Sequence, residues 1–490
     1  MFSTGASFSC LVNYVALRIW PVFQTCQLLV PLGIDSLVQV PLSKYNETFK
    51  RQRRYIQHTL GPRVVPSYYP LIQSETASLL RALVTSPSEY LGHVRKYAGG
   101  LTLSVVYGYK PASNDDKFLA MAEECLIILA NEIAAKGGIW AVDVFPFLKY
   151  FPSWLPGFSF KKKAAVWKPK MIEFIEAPFA HAKFSTEDGT ILTSFCSKLL
   201  SSGDLDSRME DEIKFSANSM FAASADTTVT TTSQFILAML MYPEVLKKAQ
   251  DEIDRVVGNY RLPDFNDRKS LPYVEAVLSE VWRWGTPVPL NLPHCLTKDD
   301  VYRGMFIPKD TLVIVNIWLV VSAAILHDES VYPDASTFNP DRFAPELSPE
   351  IKAERDPRNS IFGFGRRRCP GADLVESSVW LLLVSMLATL DIQKSVDTDG
   401  NVIEPEVKYS NSTFRVFSSG GNSNWFLLPS NYDNPDTSRW ERTGTQNIVF
   451  RNDEDSTEVR FTKDFDSAPD TYVTFNSFTN VQFSTDDPEL

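Results

Sequence analysis

The chain has 490 residues, 44 % of them hydrophobic, which suffices for a large core arranged as two to four ordinary domains or as one large unit. Its net charge of −11, with no basic stripe, argues against nucleic acid as the main partner, because phosphate binders present a basic face. Six cysteines (Cys10, Cys26, Cys125, Cys196, Cys295 and Cys369) lie without CxxC pairs or regular spacing, which disfavours a zinc knuckle and a disulfide framework and fits a reduced, cytosol-facing protein.

Residues 9–40 are rich in Leu, Val and Ile, yet Arg18, Pro21, Gln24, Gln27, Pro31 and Asp35 interrupt them before about 20 apolar residues accumulate. Neither a clean transmembrane helix nor a signal peptide is expected there. Further on, Leu205 to Met241 places apolar residues at helical spacing with no proline until Pro243, which predicts a helix of about 50 Å that crosses the whole protein. Inside it, "ASADTTVTTT" gathers small and β-branched hydroxyl residues that bond back to nearby carbonyls, so a local bend is expected. Taken alone, Thr227 and Thr228 fit two readings: small packing residues, or a catalytic notch.

A second helix, "SLPYVEAVLSEVWRWG", opens on Ser270 and Pro272 and closes on Gly285. Glu280 and Arg283 share one face of it, although such a pair by itself is commonplace on surfaces. After it, "CLTKDDVYRGMFIPKDTLVIVNIW" alternates β-rich runs with turn signals and reads as a small antiparallel sheet. "YPDASTFNPDRF" is a proline-punctuated loop carrying Arg342. "FGFGRRRCPG", residues 362–371, then surrounds Cys369 with three arginines and three glycines. Beyond Asn431 the chain holds 13 Asp or Glu against 5 Lys or Arg, a net of −8 that leaves −3 for everything before it. This tail reads as weakly β-forming or disordered.

From about Tyr45 to Ser412 the order of these stretches resembles cytochrome P-450 monooxygenases, most closely fungal members of the microsomal type. The haem-binding signature F-x-x-G-x-R-x-C-x-G is complete as Phe362, Gly365, Arg367, Cys369 and Gly371. The resemblance implies a mainly α fold, a long central helix over a haem with small peripheral antiparallel sheets. It makes Cys369 the axial thiolate of haem b, a ligand that favours O–O cleavage, while the glycines offer backbone N–H groups to the sulfur. Arg367 would pair with a haem propionate, as would His294 and Arg53. Arg366 and Arg368 would face the surface where an electron donor docks.

On the opposite side, "ASADTT" matches [AG]-G-x-[DE]-T-[TS] as Ala223, Ser224, Ala225, Asp226, Thr227 and Thr228, with Ser224 in place of the usual glycine. Thr227 would hydrogen-bond dioxygen and Asp226 would relay protons, so that one oxygen atom leaves as water. Glu280, Arg283 and Arg342 resemble the family's buried Glu-Arg-Arg network, which supports the fold and takes no part in the chemistry. "FKRQRR" stands where the family carries W-x-x-x-R, with Phe49 for the tryptophan and Arg53 for the arginine; Arg53 as a solvated surface charge remains the other reading.

The implied activity is a haem-thiolate monooxygenase that inserts one atom of O2 into an apolar organic substrate. Electrons would come from NADPH through a flavoprotein reductase, at the cytosolic face of the endoplasmic reticulum membrane. The alternatives are a catalytically impaired haem-binding remnant and a haem-free structural protein. Residues 319–323 read as an insertion. The expected division is an atypical segment 1–44 without an intact membrane anchor, a haem-binding domain 45–414 and an acidic tail 415–490.

Overall fold

Side-chain caps and prolines set where the helices begin. In the computed structural model, which describes residues 40–129, 146–154, 159–394, 401–402, 425–429, 445–451 and 458–464 apart from positions 44, 191, 204, 293, 314 and 318–324, the first helix is α1 (Glu47–Leu60). Asn46 opens it by accepting a hydrogen bond from the Phe49 N–H. Next come α2 (Tyr69–Thr85), α3 (Tyr90–Tyr107) and α4 (Lys117–Ile127), the last capped by Asp116. After α5 (Ser159–Glu187) and the short α6 (Phe195–Leu200), Asp206 accepts from the Met209 N–H and starts α7 (Ser207–Met241). This is the predicted long helix, and helical hydrogen bonding runs through "ASADTTVTTT" without a break. The hydroxyls of Thr227, Thr231 and Thr232 are absorbed by the carbonyls four residues earlier.

Pro243 stops α7 and serves as the first residue of α8 (Pro243–Val256); Pro272 likewise begins α9 (Pro272–Trp284), the second predicted helix. Gly285 follows the last residue of α9 at a close approach to α7: a Cβ there would lie 2.6 Å from the Gln234 side chain. Two separate antiparallel ladders follow where a single small sheet was expected. β1 (His294–Cys295) pairs with β4 (Leu312–Val313), and β2 (Asp300–Tyr302) pairs with β3 (Met305–Ile307). Arg303 and Gly304, both at positive φ (50° and 80°), make the tight turn between β2 and β3.

Two short helices, α10 (Pro349–Arg355) and α11 (Arg358–Ile361), lead into the Cys369 loop. α12 (Ala372–Thr389) leaves it and runs into β5 (Leu390–Lys394), which pairs with β6 (Trp425–Pro429). β7 (Thr445–Arg451) and β8 (Glu458–Asp464) form a hairpin inside the acidic segment. Residues 9–39 and 319–323, where a broken apolar stretch and an insertion were read, lie outside the described residues.

α3 and α12 both pack against α7, and their apolar residues join those of α1, α2 and α9 in one buried cluster. α12 is apolar enough by length and composition to cross a membrane, but it is mostly enclosed by the other helices, as a core helix is. The architecture is the mainly helical one expected, with small two-stranded sheets at its edge.

Candidate haem site and its support

Cys369 sits between a short 3-10 turn, Gly365–Arg367, and the start of α12, in a loop whose shape is set by glycine. Gly363 and Gly365 adopt φ of 74° and 57°, a region where a side chain would strain the backbone. That turn brings the Cys369 N–H to the Phe362 carbonyl at 2.7 Å. The Gly371 backbone donor beside the sulfur favours its anionic form. Protein atoms surround the thiol densely enough for burial to raise its pKa, against the pull of the Gly371 bond and of Arg53 and Arg368. Yet the residue keeps accessible surface. Both hold for a group on the wall of a recess.

α7 shows the same feature. Residues 216–222 and 228–232 are buried, whereas Ala223 is exposed and Ser224, Ala225, Asp226 and Thr227 are partly so, which marks a local opening along an otherwise enclosed helix. The Thr227 Oγ1 donates to the Ala223 carbonyl at 2.9 Å, and the Ser224 hydroxyl to the Phe221 carbonyl at 3.1 Å. Serine in the usual glycine position is therefore tied to its own helix. Burial raises the Asp226 pKa; Arg95 on α3 opposes this and Glu123 on α4 adds to it. Those two residues pair with each other at 2.8 Å.

This upward shift fixes the sign of a pH effect. Relative to the unfolded chain, the folded protein favours neutral Asp226, so stability associated with the group is present at acid pH and lost as pH rises through the raised pKa. Asp226→Asn should melt with the wild type at acid pH and a few degrees higher at neutral pH, taking about 2–4 °C per kcal/mol in a large domain. Scanning calorimetry across that range checks it; equal melting curves at every pH would remove the desolvated carboxylate from the account.

Of the three sequence-predicted propionate partners, Arg53 and Arg367 lie beside the Cys369 loop, and His294 lies close enough to Arg367 to feel its charge. The Arg53 Nη2 donates to the Arg368 carbonyl at 2.7 Å, and its charge acts on Cys369. Arg367 donates to the carbonyls of Pro41 at 3.3 Å and Ser43 at 2.7 Å and lies over the Phe49 ring. Burial, then the charges of Arg53 and Arg366, lower the Arg367 pKa. His294, on β1, is pulled down by burial and by Arg367. Among the described residues no carboxylate lies within ion-pair distance of Arg53 or Arg367. Arg366 stacks over Tyr45, and both Arg366 and Arg368 are exposed.

Glu280 and Arg283 are wholly buried and doubly bonded, Nε to Oε2 at 2.6 Å and Nη2 to Oε1 at 2.8 Å. The remaining donors of Arg283 reach the carbonyls of Leu326, Ala335 and Thr337. Arg342 Nε lies 3.5 Å from Glu280 Oε1, which also accepts the Asn339 N–H at 2.8 Å. Burial raises the Glu280 pKa, and the two guanidiniums with the Asn339 N–H pull it back. No hydrogen bond among the described residues joins Asp226 or Thr227 to the Cys369 loop; the link is α12, which leaves that loop and packs on α7.

The family model described as Cytochrome P450 matches residues 36–412. This chain belongs to the cytochrome P450 family. Cytochrome P450 monooxygenase claT of Ampulloclitocybe clavipes is 44 % identical over 379 residues, covering 77 % of this chain and 74 % of its own. Cytochrome P450 monooxygenase 176 of Postia placenta is 39 % identical over 369 residues, 74 % and 69 % of the two chains. Cytochrome P450 monooxygenase CLM2 of Gibberella zeae is 36 % identical over 387 residues, 77 % and 70 %. The chain is a haem monooxygenase by family, and such enzymes act with a redox partner on small molecules.

The residues present fit the haem of a cytochrome P450. An accessible thiol with a backbone donor at its sulfur suits an iron ligand, and a cluster of cations without carboxylate partners suits two propionates. Four charged residues on the near side of the Cys369 loop, Arg268, Glu275, Arg358 and Glu376, went unnoticed in the sequence. The one available signal was Glu376 itself, a lone acid in the apolar run "LVESSVWLLL".

Proposed function

We propose that this cytochrome P450 converts an apolar substrate, O2, NADPH and one proton into hydroxylated substrate, water and NADP+, with a flavoprotein reductase passing the two electrons. The observation that carries this reading is the accessible Cys369 thiol in its glycine-shaped loop, with the Gly371 backbone donor beside its sulfur. Bound haem supplies the dioxygen activation, and an anionic sulfur ligand favours O–O cleavage. The chain's own residues do the rest. Cys369 holds the iron; Gly371, with the Arg53 and Arg368 charges, favours the anionic form of the sulfur. Arg53, Arg367 and His294 hold the propionates.

On α7, the Thr227 hydroxyl rests on the Ala223 carbonyl and is one rotation from the opening in front of it. Asp226 can hold and pass a proton there because its raised pKa brings it nearer to neutrality. The exposed Arg366 and Arg368 offer a positive surface to an acidic reductase domain. Fungal relatives are typically microsomal, which supports the endoplasmic reticulum membrane as the site of action.

With a fungal reductase and NADPH, the holoprotein should consume O2 and place one labelled atom from 18O2 into product. Thr227→Ala should keep its haem and yet send several times more reducing equivalents to peroxide, and Asp226→Asn should slow O2 consumption by 10²-fold or so. An unchanged peroxide yield in Thr227→Ala returns the threonine run to a packing role, and a fully loaded protein that takes up no O2 with any apolar substrate supports the impaired remnant.

A further inference from the structure

Arg268, Glu275, Arg358 and Glu376 form a second charged cluster, distinct from the one around Glu280. Arg358 stands at the start of α11, just ahead of the Cys369 loop, and Glu376 lies in the early part of α12, just after it. The Arg358 Nη2 bonds Glu275 Oε1, its Nη1 donates to the Ser279 hydroxyl at 3.1 Å and to Asp356 Oδ1 at 3.2 Å, and its Nε makes an ion-pair contact with Glu376 Oε1 at 3.4 Å without a hydrogen bond. Arg268 runs parallel to it: Nε reaches Glu275 Oε2 at 2.9 Å and Nη2 reaches Glu376 Oε1 at 2.8 Å. Two guanidiniums thus join the acid of α9 to the acid of α12.

The cluster also reaches the loop through aromatic rings. The Arg358 guanidinium sits 4.9 Å from the centre of the Trp282 ring. Trp282 is fully buried on α9 between Glu280 and Arg283, and it meets Phe362 edge-on, ring centres 5.6 Å apart. Phe362 is the residue whose carbonyl accepts the Cys369 N–H. The loop's glycine turn and short backbone bonds set its local shape, but no ladder ties it to the helices on either side, so its seat between them depends on contacts from outside.

We propose that Arg358 is a positioning residue for the Cys369 sulfur, clasping the two shoulders of its loop through Glu376 and fixing Phe362 through Trp282. A loosened clasp lets the Phe362 carbonyl and the Gly371 N–H drift from the positions that favour an anionic sulfur. The inference rests on the haem-thiolate reading above. Charge balance supports it too: Arg358→Lys conserves the cation and removes only the planar fork that touches Glu275, Ser279, Asp356 and the indole together.

The test uses full-length holoprotein, reduced under carbon monoxide, in wild type, Arg358→Lys and Glu376→Gln. Both variants should retain haem and start with the red-shifted Soret band of thiolate ligation. In mild urea that band should convert to the shorter-wavelength form about tenfold faster than in wild type, as expected for loss of one coupling in a network. The ferric/ferrous midpoint of Arg358→Lys should move although no charge has changed, and the double variant should be no worse than the poorer single.

Conversion rates and midpoints equal to wild type, even with a lower melting temperature, would reduce the cluster to scaffolding. If Arg358→Lys gives no holoprotein, Glu376→Gln decides alone, since the Arg358–Glu275 bridge survives in it. A wild type that lacks the red-shifted band brings down the thiolate reading itself, a result distinct from variants that behave like a normal wild type.

Discussion

Cys369→Ser protein, reduced under carbon monoxide, should show no red-shifted Soret band, and its haem content should fall well below that of wild type. Burial raises the pKa of the free thiol, and the Gly371 hydrogen bond with the charges of Arg53 and Arg368 opposes burial without overcoming it. Loading must therefore drive the sulfur's proton off, since a coordinating thiol is deprotonated outright. A serine hydroxyl is far harder to ionise and cannot follow. The same balance gives a sign for pH: each bound haem releases a proton from Cys369, so affinity should strengthen as pH rises toward the thiol's raised pKa and weaken on acidification. Haem transfer to an acceptor globin, measured at several pH values, reads that slope. A wild-type spectrum of the histidine-ligated kind would remove Cys369 from the iron.

Glu280→Ala should yield aggregated or haem-free protein. The carboxylate takes two charge-assisted bonds from Arg283, one from the Asn339 N–H and the nearby charge of Arg342, all in a place without solvent. Removing it strands a fully buried guanidinium, a loss of about 3–5 kcal/mol against the roughly 5–15 kcal/mol that hold a typical domain together. The damage spreads because Arg283 also bonds the carbonyls of Leu326, Ala335 and Thr337, which tie the meander between β4 and α10 to α9. Glu280→Gln, which keeps an acceptor, should be milder. Joint replacement of Glu280 and Arg283 by apolar residues of similar volume should recover part of the loss, because the fully buried Arg283 charge goes with its partner and only Arg342 is left without a carboxylate. Soluble, haem-loaded Glu280→Ala with a normal melting temperature would show that the pair carries little of the fold.

What was legible in the sequence was local. The Cys369 loop is spelled out in one run of residues, and Glu280 with Arg283 is a spacing on one helix face. Asp226 and Thr227 stand out because polar residues interrupt a helix otherwise suited to burial. The clasp was not legible, since Arg358 meets Glu275 across 83 positions and Arg268 meets Glu376 across 108. No periodicity encodes such pairs; they exist only once α9 and α12 are side by side. The two ladders were misread as one sheet for a related reason. Alternating apolar residues announce a strand, whereas its partner depends on how the intervening turns close.

Two of the three arginines of helix α1 point to different walls. Arg51 forks onto the nearly inaccessible Glu212 of α7, with bonds of 3.0 and 2.6 Å, while Arg53 reaches the Arg368 carbonyl beside the sulfur. Two positions along a helix are about 200° apart around its axis, so one register serves both contacts. In the language of inherited change, this makes α1 forgiving of many exchanges of letter and intolerant of a change in length. Deleting a single codon between Asn46 and Arg51 would turn every residue before the gap by about 100° relative to those after it, so that the Asn46 cap and the arginines could not all be seated at once. Drift across this stretch should therefore proceed by substitution, with gains and losses of residues confined to the segments on either side.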